Sequence, residues 1–393
     1  MAFISERFTA WPFFAPDEIE AADRVLRSGK VNYWTGEEGR NFENEFAVKI
    51  RRKHAVALTN GTVALELGLR VLGIGPGDEV IVAPRTFVAS AGCVVMVGAK
   101  PVFADVDPDS QNITAETIAQ VLTPQTKAII PVHLAGWPCA MTAIMTLAKK
   151  HGLKVIEDCA QAVGATYQER PAGSFGHVAA FSFCQDKILT TGGEGGMLVA
   201  DDKTLWEKAW SYKDHGKNFE TVHKHQPPPG FRWLHEDFGT NWRMTEMQAT
   251  IGRVILKKLD KWVERRRNFA AILTEAFSNL PALRVTIPPR DVYHSYYKYY
   301  VFLRPERLKP DWNRDRIMIE IDRRGIPCFS GSCGEIYLEK AFVKYNLQPQ
   351  ERLPVARRLG ETSLMFLVHP TLEESDILAT VATVKNVMTA ASA

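Results

Sequence analysis

Between about residues 55 and 205, short apolar runs rich in Val, Ile and Phe alternate with segments of helical length. The runs predict β-strands over residues 79–83, 101–106, 127–133, 154–158, 179–184 and 196–200. The intervening segments predict helices over residues 62–73, 87–99, 114–122 and 141–152. This alternation is typical of an α/β fold, in which helices cover both faces of a mainly parallel sheet. A glycine-rich loop joins the last two strands closely, which predicts one antiparallel pair.

A second pattern starts at Thr245 and predicts one long helix over residues 245–277. The apolar positions that recur at helical spacing are Met247, Ile251, Val254, Ile255, Leu259 and Trp262. The run Arg265 to Arg267 is interpreted as part of the solvent-exposed face of this helix, not as a site for an anionic partner. Residues 1–250 are predicted to form a large domain with an N-terminal segment. Residues 251–393 are predicted to form the long connecting helix and a smaller α+β domain.

Residues 218–243 are polar, contain prolines and show no clear periodicity, so they predict a long irregular loop. Such loops in compact proteins are usually functional or contact a partner. The segment contains His223 and His225, but two histidines alone are weak evidence for a metal site.

The balance of charge excludes some classes of function. The chain has 393 residues, 48 of them basic and 45 acidic, and its net charge is +3. No strong field therefore indicates a nucleic acid or an anionic membrane as partner. No apolar run approaches the roughly 20 residues of a transmembrane helix, and the first 25 residues lack the regions of a secretory signal. We expect a cytoplasmic protein.

The six cysteines are scattered along the chain, which favours reduced thiols over a disulfide framework. Cys328 and Cys333 form one isolated C-x4-C pair without a second pair or matching histidines. We interpret them as buried thiols and predict no metal site.

Ligands of open α/β sheets bind beyond the carboxyl ends of the strands, and three sequence features are predicted to lie there. The first is the turn Asn60, Gly61 and Thr62, which opens a helix. Unpaired N–H groups and the positive end of a helix dipole suit a phosphate, and the Thr62 hydroxyl could add a donor. An ordinary turn with a helix N-cap explains the same residues.

The second feature is Asp158, which ends the predicted strand "KVIED". A carboxylate at that position needs a cationic or hydrogen-bonding partner, because an unpaired buried charge is costly. For an isolated aspartate, a helix cap or a salt bridge is the favoured explanation.

The third feature is Lys187, which lies between the strand at 179–184 and a loop that contains Gly192, Gly193, Gly195 and Gly196. A lysine amine is a nucleophile only when it is unprotonated, and a partly desolvated site lowers its pKa from about 10.4. The glycines allow close approach of a ligand, and Ser182 adds a hydroxyl. The stretch "KILTTGGEGG" does not match a phosphate-binding P-loop, and "GIGPG" reads as a turn and not as a dinucleotide site.

A phosphate-binding turn, an aspartate at a strand end and a lysine further along the chain match the needs of pyridoxal phosphate. This cofactor requires an amine for a Schiff base, an acid to keep its ring nitrogen protonated, and donors for its phosphate.

Ordered motifs along nearly the whole chain resemble the DegT/DnrJ/EryC1/StrS family of sugar aminotransferases. They are "SGKVNYWTGEEGRNFENEFA", "PGDEVIVAPRTFVASAGCVVMVGAKPVFADVD", "PVHLAGWPCAM", "FGTNWRMTEMQATIG" and "RRGIPC". The resemblance implies the aspartate aminotransferase-like fold (type I of the pyridoxal phosphate transferases), with a mainly parallel seven-stranded sheet and a smaller C-terminal α+β domain.

The resemblance also implies roles for individual residues. Lys187 would form the internal aldimine with pyridoxal phosphate, and Asp158 would pair with the pyridinium nitrogen. Gln161 would lie near the ring hydroxyl, and Phe87 would stack on the ring. For an isolated Phe87 a core aromatic is the favoured alternative, and Gln161 could be a helix-start donor.

Gly61, Thr62 and Ser182 would hold the phosphate of the cofactor. Asn241 resembles the residue that reaches the phosphate of the neighbouring subunit, which implies a homodimer with shared active sites; taken alone, Asn241 could be a loop turn. His133 could face the substrate, but a histidine with satisfied hydrogen bonds at a strand end explains it equally well.

The implied activity is amino transfer from glutamate to a nucleotide-linked keto sugar, with pyridoxamine phosphate as intermediate. C-4 of a dTDP-, UDP- or GDP-linked 4-keto-6-deoxyhexose is the expected acceptor, for O-antigen or another surface glycan. One alternative is amination at C-3 of a 3-keto sugar. A second is a sugar dehydratase, although the lysine position is typically histidine there. A nucleotide-sugar-binding or nicotinamide-dependent α/β protein without transaminase activity is a further alternative.

Overall fold

The computed structural model describes residues 8–224 and 233–393. The helices are α1 (Pro16–Ser28), α2 (Glu38–Ile50), α3 (Gly61–Val71), α4 (Ala89–Met96), α5 (Ala115–Ala119), α6 (Met141–His151), α7 (Lys203–Lys213), α8 (Phe219–Lys224), α9 (Glu246–Ser278), α10 (Arg314–Asp322), α11 (Lys340–Lys344), α12 (Pro354–Thr362) and α13 (Glu374–Ala391). The strands are β1 (His54–Leu58), β2 (Glu79–Val82), β3 (Lys100–Phe103), β4 (Thr126–Ile130), β5 (Lys154–Asp158), β6 (Thr166–Tyr167), β7 (Arg170–Pro171), β8 (Val178–Ser182), β9 (Gly196–Ala200), β10 (Leu283–Val285), β11 (Val292–Tyr293), β12 (Tyr299–Leu303) and β13 (Ser363–Phe366).

Seven strands form the main sheet in the order β1-β9-β8-β5-β4-β2-β3. β9 runs antiparallel to both β1 and β8, while β8, β5, β4, β2 and β3 pair in parallel. The prediction of a mainly parallel sheet with an antiparallel last pair is confirmed. β1 was not among the strands predicted from apolar runs, because "HAVAL" is short, rich in alanine and directly follows three basic residues.

Helices cover both faces of this sheet, as the alternation of strands and helices predicts. Successive residues of a strand point to opposite faces. In β8, Val178 and Ala180 join the core formed with α3 and α4, whereas Ala179 and Phe181 join the core formed with α2 and α9. Because both faces of the strand are buried, its sequence is continuously apolar.

The predicted strands at 101–106 and 127–133 extend beyond the carboxyl ends of the corresponding strands in the structure. β3 ends at Phe103 and β4 at Ile130. Pro131 follows β4 and has no backbone N–H to donate, so the regular ladder stops there, although its carbonyl oxygen accepts from the Asp158 N–H at 2.9 Å and Val132 forms an isolated bridge with Asp158.

The long helix α9 agrees with its prediction to within one residue at each end. The Thr245 side chain accepts a hydrogen bond from the Gln248 backbone N–H, and the Gln248 side chain accepts one from the Thr245 N–H, which forms a capping box. The helix buries Ile255 and Leu259 and packs against α1, α2 and α13.

The prediction that Arg265 to Arg267 face solvent is wrong for Arg266, whereas the Arg265 side chain is 42% exposed. Arg266 is 1% exposed, and its Nη1 donates to the Tyr297 carbonyl oxygen at 3.3 Å. Arg265 donates to the Leu372 carbonyl oxygen, and Arg267 to that of His294. Chain segments from the carboxyl-terminal part cover this side of α9, so the arginines bind their carbonyl groups.

The strands β10, β12 and β13 form a separate antiparallel sheet. Their inner residues pack with α10, α13 and the second half of α9 in one apolar core. This arrangement of strands and helices is α+β, as expected for the carboxyl-terminal part. A third small sheet joins β11, β6 and β7. The domain boundary at residue 250 stays a prediction.

The segment at 218–243 is not wholly irregular, because α8 occupies its start. His223 lies in α8 and stacks on Phe219, with ring centroids 4.3 Å apart. His225 and its neighbours up to residue 232 lie outside the described residues.

Cys328 is buried as predicted, but Cys333 is exposed. None of the helices within residues 8–224 and 233–393 combines the length and apolar character needed to cross a membrane.

A buried ion pair joins α7 to α2 and can be tested by substitution. Lys213 Nζ lies 3.0 Å from Glu43 Oε1, and this side chain of α7 is fully buried. We expect Lys213→Met to destabilise the protein by about 3–5 kcal/mol, because it leaves the Glu43 carboxylate buried without a cation. The control Lys208→Met, on the exposed face of α7, should change the free energy of unfolding by less than about 0.5 kcal/mol. Urea denaturation of both variants measures the difference, and equal effects would contradict the prediction.

Candidate active site

A cavity of about 1030 Å³ opens at the carboxyl ends of β5 and β8 and at the N-terminus of α3. Residues that precede and follow β12 and β13 close its other side. The predicted site residues that line it are Gly61, Thr62, Phe87, Asp158, Gln161, Ser182 and Lys187. Asn241 is exposed, forms a bridge with Asp214 and does not line the cavity of its own chain.

Lys187 lies just beyond β8, with only 14% of its side chain exposed. Its Nζ is 3.8 Å from Asp186 Oδ1 and 4.9 Å from the centre of the Tyr297 ring. The main chain is held on both sides, because the Lys187 N–H donates to the Cys184 carbonyl oxygen and its carbonyl oxygen accepts from the Trp11 indole N–H. The amine is therefore positioned inside the cavity by a well-anchored turn.

Asp158 ends β5 and is 3% exposed. Its Oδ2 accepts a hydrogen bond from Ser90 Oγ at 2.8 Å, and its Oδ1 accepts one from the Ala160 N–H at 3.1 Å. Burial raises the pKa of Asp158 above its ordinary value, although both hydrogen bonds act to lower it. Within the described residues, no cationic nitrogen lies within ion-pair distance of this carboxylate, so the salt-bridge explanation of Asp158 fails.

Ser90 is a residue that the sequence analysis missed. Its hydroxyl donates to Asp158 and lies 2.9 Å from the Thr86 hydroxyl, which must then be the donor of that second bond. Ser90 lies in the first turn of α4, one helical turn after Phe87 in "RTFVAS". In the helix predicted over residues 87–99 these two positions are three apart and share a face, which was the available signal, although α4 itself begins at Ala89.

The N-terminus of α3 lies against the end of β8. The Asn60 side chain caps the helix by accepting from the Val63 N–H at 3.0 Å. The N–H groups of Gly61 and Thr62, which precede it in the first turn, have no acceptor within the helix. A Cβ atom on Gly61 would lie 2.6 Å from the Ser182 Cβ, so only glycine allows this approach. The helix end and the Ser182 hydroxyl therefore face the same part of the cavity.

Gln161 and Phe87 present defined groups to the cavity. Gln161 Oε1 accepts from the Ala135 N–H at 2.8 Å, which leaves the amide NH2 group to donate to a ligand. The Phe87 side chain is 65% exposed, so it is not a core aromatic.

His133 has satisfied hydrogen bonds and is fully buried at the end of β4. Its Nδ1 accepts from the Cys139 N–H, so its Nε2 carries the proton and donates to Glu157 at 3.1 Å. With Cys159 these two residues form the one group of possible metal-ligating side chains in the described part of the chain. The Glu157 oxygens already accept from the backbone N–H groups of residues 173, 175 and 176, so this cluster is a structural network.

Asp186 and Tyr297 complete the surroundings of Lys187, and the sequence analysis missed both. The Tyr297 hydroxyl donates a short hydrogen bond to Asp186 Oδ2. Burial acts to raise the pKa of Asp186, but the charge of Lys187 and the Tyr297 hydroxyl outweigh it, and the pKa lies below its ordinary value. The position of Asp186 beside Lys187 was a visible signal, whereas nothing local connects Tyr297 to this lysine.

Known proteins resemble the chain along nearly its whole length. GDP-perosamine synthase of Escherichia coli O157:H7 is 39% identical over 359 residues, which are 91% of each chain. UDP-N-acetyl-3-dehydro-alpha-D-glucosamine 3-aminotransferase of Acidithiobacillus ferrooxidans is 39% identical over 367 residues, 92% of this chain and 93% of the relative. The aminotransferase from Psychrobacter cryohalolentis, known from an X-ray structure, is 55% identical in sequence and superimposes with a TM-score of 0.96. The match covers 98% of this chain and 99% of that chain.

The model of the DegT/DnrJ/EryC1/StrS aminotransferase family matches residues 14–385. This match and the relatives agree with the cavity at the strand ends and with its lysine and buried aspartate. The chain belongs to the DegT/DnrJ/EryC1/StrS aminotransferase family and is a pyridoxal phosphate-dependent aminotransferase.

Proposed function

We propose that the protein transfers the amino group of glutamate to a nucleotide-linked keto sugar, at C-4 of a 4-keto-6-deoxyhexose. The observation that carries this proposal is one cavity that combines three groups. These are the amine of Lys187, the carboxylate of Asp158, which is buried and has no cationic partner among the described residues, and the open N-terminus of α3. The alternative of a binding protein without transaminase activity does not account for this combination.

The residues of the cavity fit pyridoxal phosphate. A protonated ring nitrogen would supply the cation that the buried Asp158 lacks, and the helix end at Gly61 with the Ser182 hydroxyl would bind the phosphate. The amide NH2 of Gln161 would donate to the ring hydroxyl, and the exposed face of Phe87 would pack on the ring. When bound, the cofactor supplies an aldehyde carbon for the lysine amine and a ring that withdraws electrons from the reacting carbon.

Lys187 has two roles in this proposal. Its Nζ would hold the cofactor covalently, and the same amine, once free, would move the proton of the donor's α-carbon. Asp186 and Tyr297 orient the lysine and stabilise its charge, while Asp158 keeps a proton on the ring nitrogen. Asn241 is exposed on its own chain and would reach the phosphate in a homodimer with shared active sites.

The names of the relatives support a nucleotide-linked acceptor but differ in the linked nucleotide. One relative is named for a GDP-linked sugar and another for amination at C-3 of a UDP-linked sugar. We therefore retain C-3 as the second candidate position.

One experiment distinguishes amination at C-4 from amination at C-3. The enzyme is incubated with glutamate and a panel of dTDP-, UDP- and GDP-linked 4-keto and 3-keto sugars, and the products are identified by NMR. Loss of a hydroxyl group without amination would instead identify a dehydratase. A C-4 amino sugar would belong to the synthesis of O-antigen or another surface glycan in the cytoplasm.

We expect Lys187→Ala to remove the absorbance band of the protein-bound cofactor, because the band requires the covalent bond between Nζ and the cofactor. Amino transfer from glutamate should fall by about 10²–10⁴-fold with the loss of the proton-transferring group. Lys257→Ala, on the exposed side of α9, is the matched control and should retain both properties. The absorbance spectrum and the rate of 2-oxoglutarate formation are measured for each protein. Wild-type protein that never gains the band with pyridoxal phosphate would disprove the proposal.

A second prediction concerns the hydrogen bond from Ser90 to Asp158. The hydroxyl stabilises the carboxylate, so Ser90→Ala should raise the pKa of Asp158 further. The carboxylate form is the active one. As the pH is lowered, Ser90→Ala should therefore lose activity at a higher pH than the wild type does. A hydrogen bond to a charged group contributes about 1.5–3 kcal/mol, which corresponds to a shift of about one pH unit or more.

The measurement is the pH dependence of the glutamate reaction for wild type, Ser90→Ala and Ser90→Thr. The threonine variant keeps the hydroxyl and should follow the wild-type curve. Identical acidic limbs for wild type and Ser90→Ala would contradict the prediction.

A further inference from the structure

Two cationic side chains, Lys187 and Lys298, line the cavity among the described residues. The proposed function, on which this inference rests, assigns only the first of them. We propose that Lys298 binds the anionic oxygen atoms of a substrate, either a carboxylate of the amino donor or the diphosphate of the nucleotide sugar.

Lys298 has no anionic partner of its own. Within residues 8–224 and 233–393, no hydrogen-bond acceptor and no carboxylate oxygen lies within bonding distance of its Nζ, although the side chain is largely buried. The carboxylate whose charge acts on Lys298 belongs to Asp186, which accepts from Tyr297 and lies beside Lys187. A buried cation without a counter-ion is costly, and an anionic ligand would remove that cost.

Among the described residues, the ammonium group of Lys298 lies over an aromatic face. Lys298 Nζ lies 4.8 Å from the centre of the Tyr297 ring, and Lys187 Nζ lies 4.9 Å from the same centre. Such a contact stabilises a cation by about 0.5–2 kcal/mol, which is less than an anionic partner can supply in a partly buried site. Tyr297 therefore holds both amines in the cavity and leaves the donor hydrogens of Lys298 available.

The charged groups around Lys298 favour the binding of an anion. Burial is the main influence and lowers the pKa of Lys298 to about 8; Asp186 opposes this shift, while Arg266 and Lys187 add to it. A bound anion would favour the charged form. Once Lys187 is bonded to the cofactor, Lys298 is the remaining cation among the described lining residues.

The rest of the lining would direct an anion towards Lys298. On the same side of the cavity the neighbouring side chains are apolar or aromatic, and they include Tyr300, Phe329, Met365 and Leu367. The exposed carboxylates of Glu194 and Glu339 also line the cavity and repel an anion from their own positions.

The position of Lys298 is set by the sheet that follows it. Lys298 directly precedes β12, and Lys298 and Tyr300 face the cavity, while Tyr299 and Val301 enter the core of the carboxyl-terminal part. Pairing of β12 with β10 and β13 holds this alternation. A site on a rigid strand start can discriminate ligands more sharply than one on a free loop.

The experiment compares the holoenzyme of wild type, Lys298→Met and Lys298→Arg. Methionine keeps the length of the side chain without the charge, and arginine keeps the charge. The first arm follows the change of the cofactor spectrum when glutamate is added, without any sugar. If Lys298 binds the donor, Lys298→Met should raise the half-saturating glutamate concentration at least tenfold with the maximal rate within about threefold, and Lys298→Arg should stay within threefold of wild type.

The second arm measures the binding of UDP, GDP and dTDP to each holoenzyme by calorimetry. If Lys298 binds the diphosphate, Lys298→Met should weaken the affinity of the bound nucleotide at least tenfold, and the glutamate arm should not change. A tenfold or greater effect in either arm supports the inference and identifies the source of the anion.

Changes below twofold in both arms would overturn the inference. A Lys298→Met protein that loses affinity for pyridoxal phosphate in an absorbance titration would also overturn it, because Lys298 would then serve the cofactor. Wild-type holoenzyme that gives no spectral response to glutamate is a different result, since it would refute the proposed function and this inference together.

Discussion

The carboxylate of Asp158 is buried at the carboxyl end of β5, with no cation of the described residues within ion-pair distance, and the arrangement of the site follows from that position. β5 lies between β4 and β8 in the sheet, so its end meets the end of β8, from which the chain continues to Lys187. Ser90 of α4 and the Ala160 N–H keep the carboxylate oriented but do not neutralise it. A buried charge in this state is costly, and in the proposed function a protonated ring nitrogen would remove that cost.

The carboxyl-terminal part contributes to the site through the segment that leads into β12. Tyr297 donates to Asp186 beside Lys187, and its backbone carbonyl accepts from the buried Arg266 of α9. Arg266 lies over the ring of Trp11, whose indole binds the Lys187 carbonyl oxygen. The lysine is thus held by contacts from the N-terminal segment, the long helix and the segment before β12, so a displacement of any one would move the amine.

The features that could be predicted from sequence are those with local signals. The parallel sheet follows from continuous apolar runs, and α9 follows from a capping box at Thr245 and helical periodicity. Lys187 and Asp158 are recognisable because each lies at the end of an apolar strand. The burial of Arg266 had no such signal, because it depends on segments that pack against α9 from elsewhere in the chain. Ser90 and Tyr297 likewise gain their roles from contacts across the fold.

Two carboxylates in one cavity have opposite electrostatic environments. Burial dominates at Asp158 and raises its pKa, whereas at Asp186 the charge of Lys187 and the Tyr297 hydroxyl outweigh burial and lower the pKa. Environments that separate the pKa values of neighbouring acids also separate their roles. Asp186 remains charged beside the lysine amine, while the cation next to Asp158 would come from a ligand. Lys187 and Asp186 compensate each other's charge. Among the described residues that line the cavity, Lys298 is therefore the one cation that has no opposite charge within ion-pair distance.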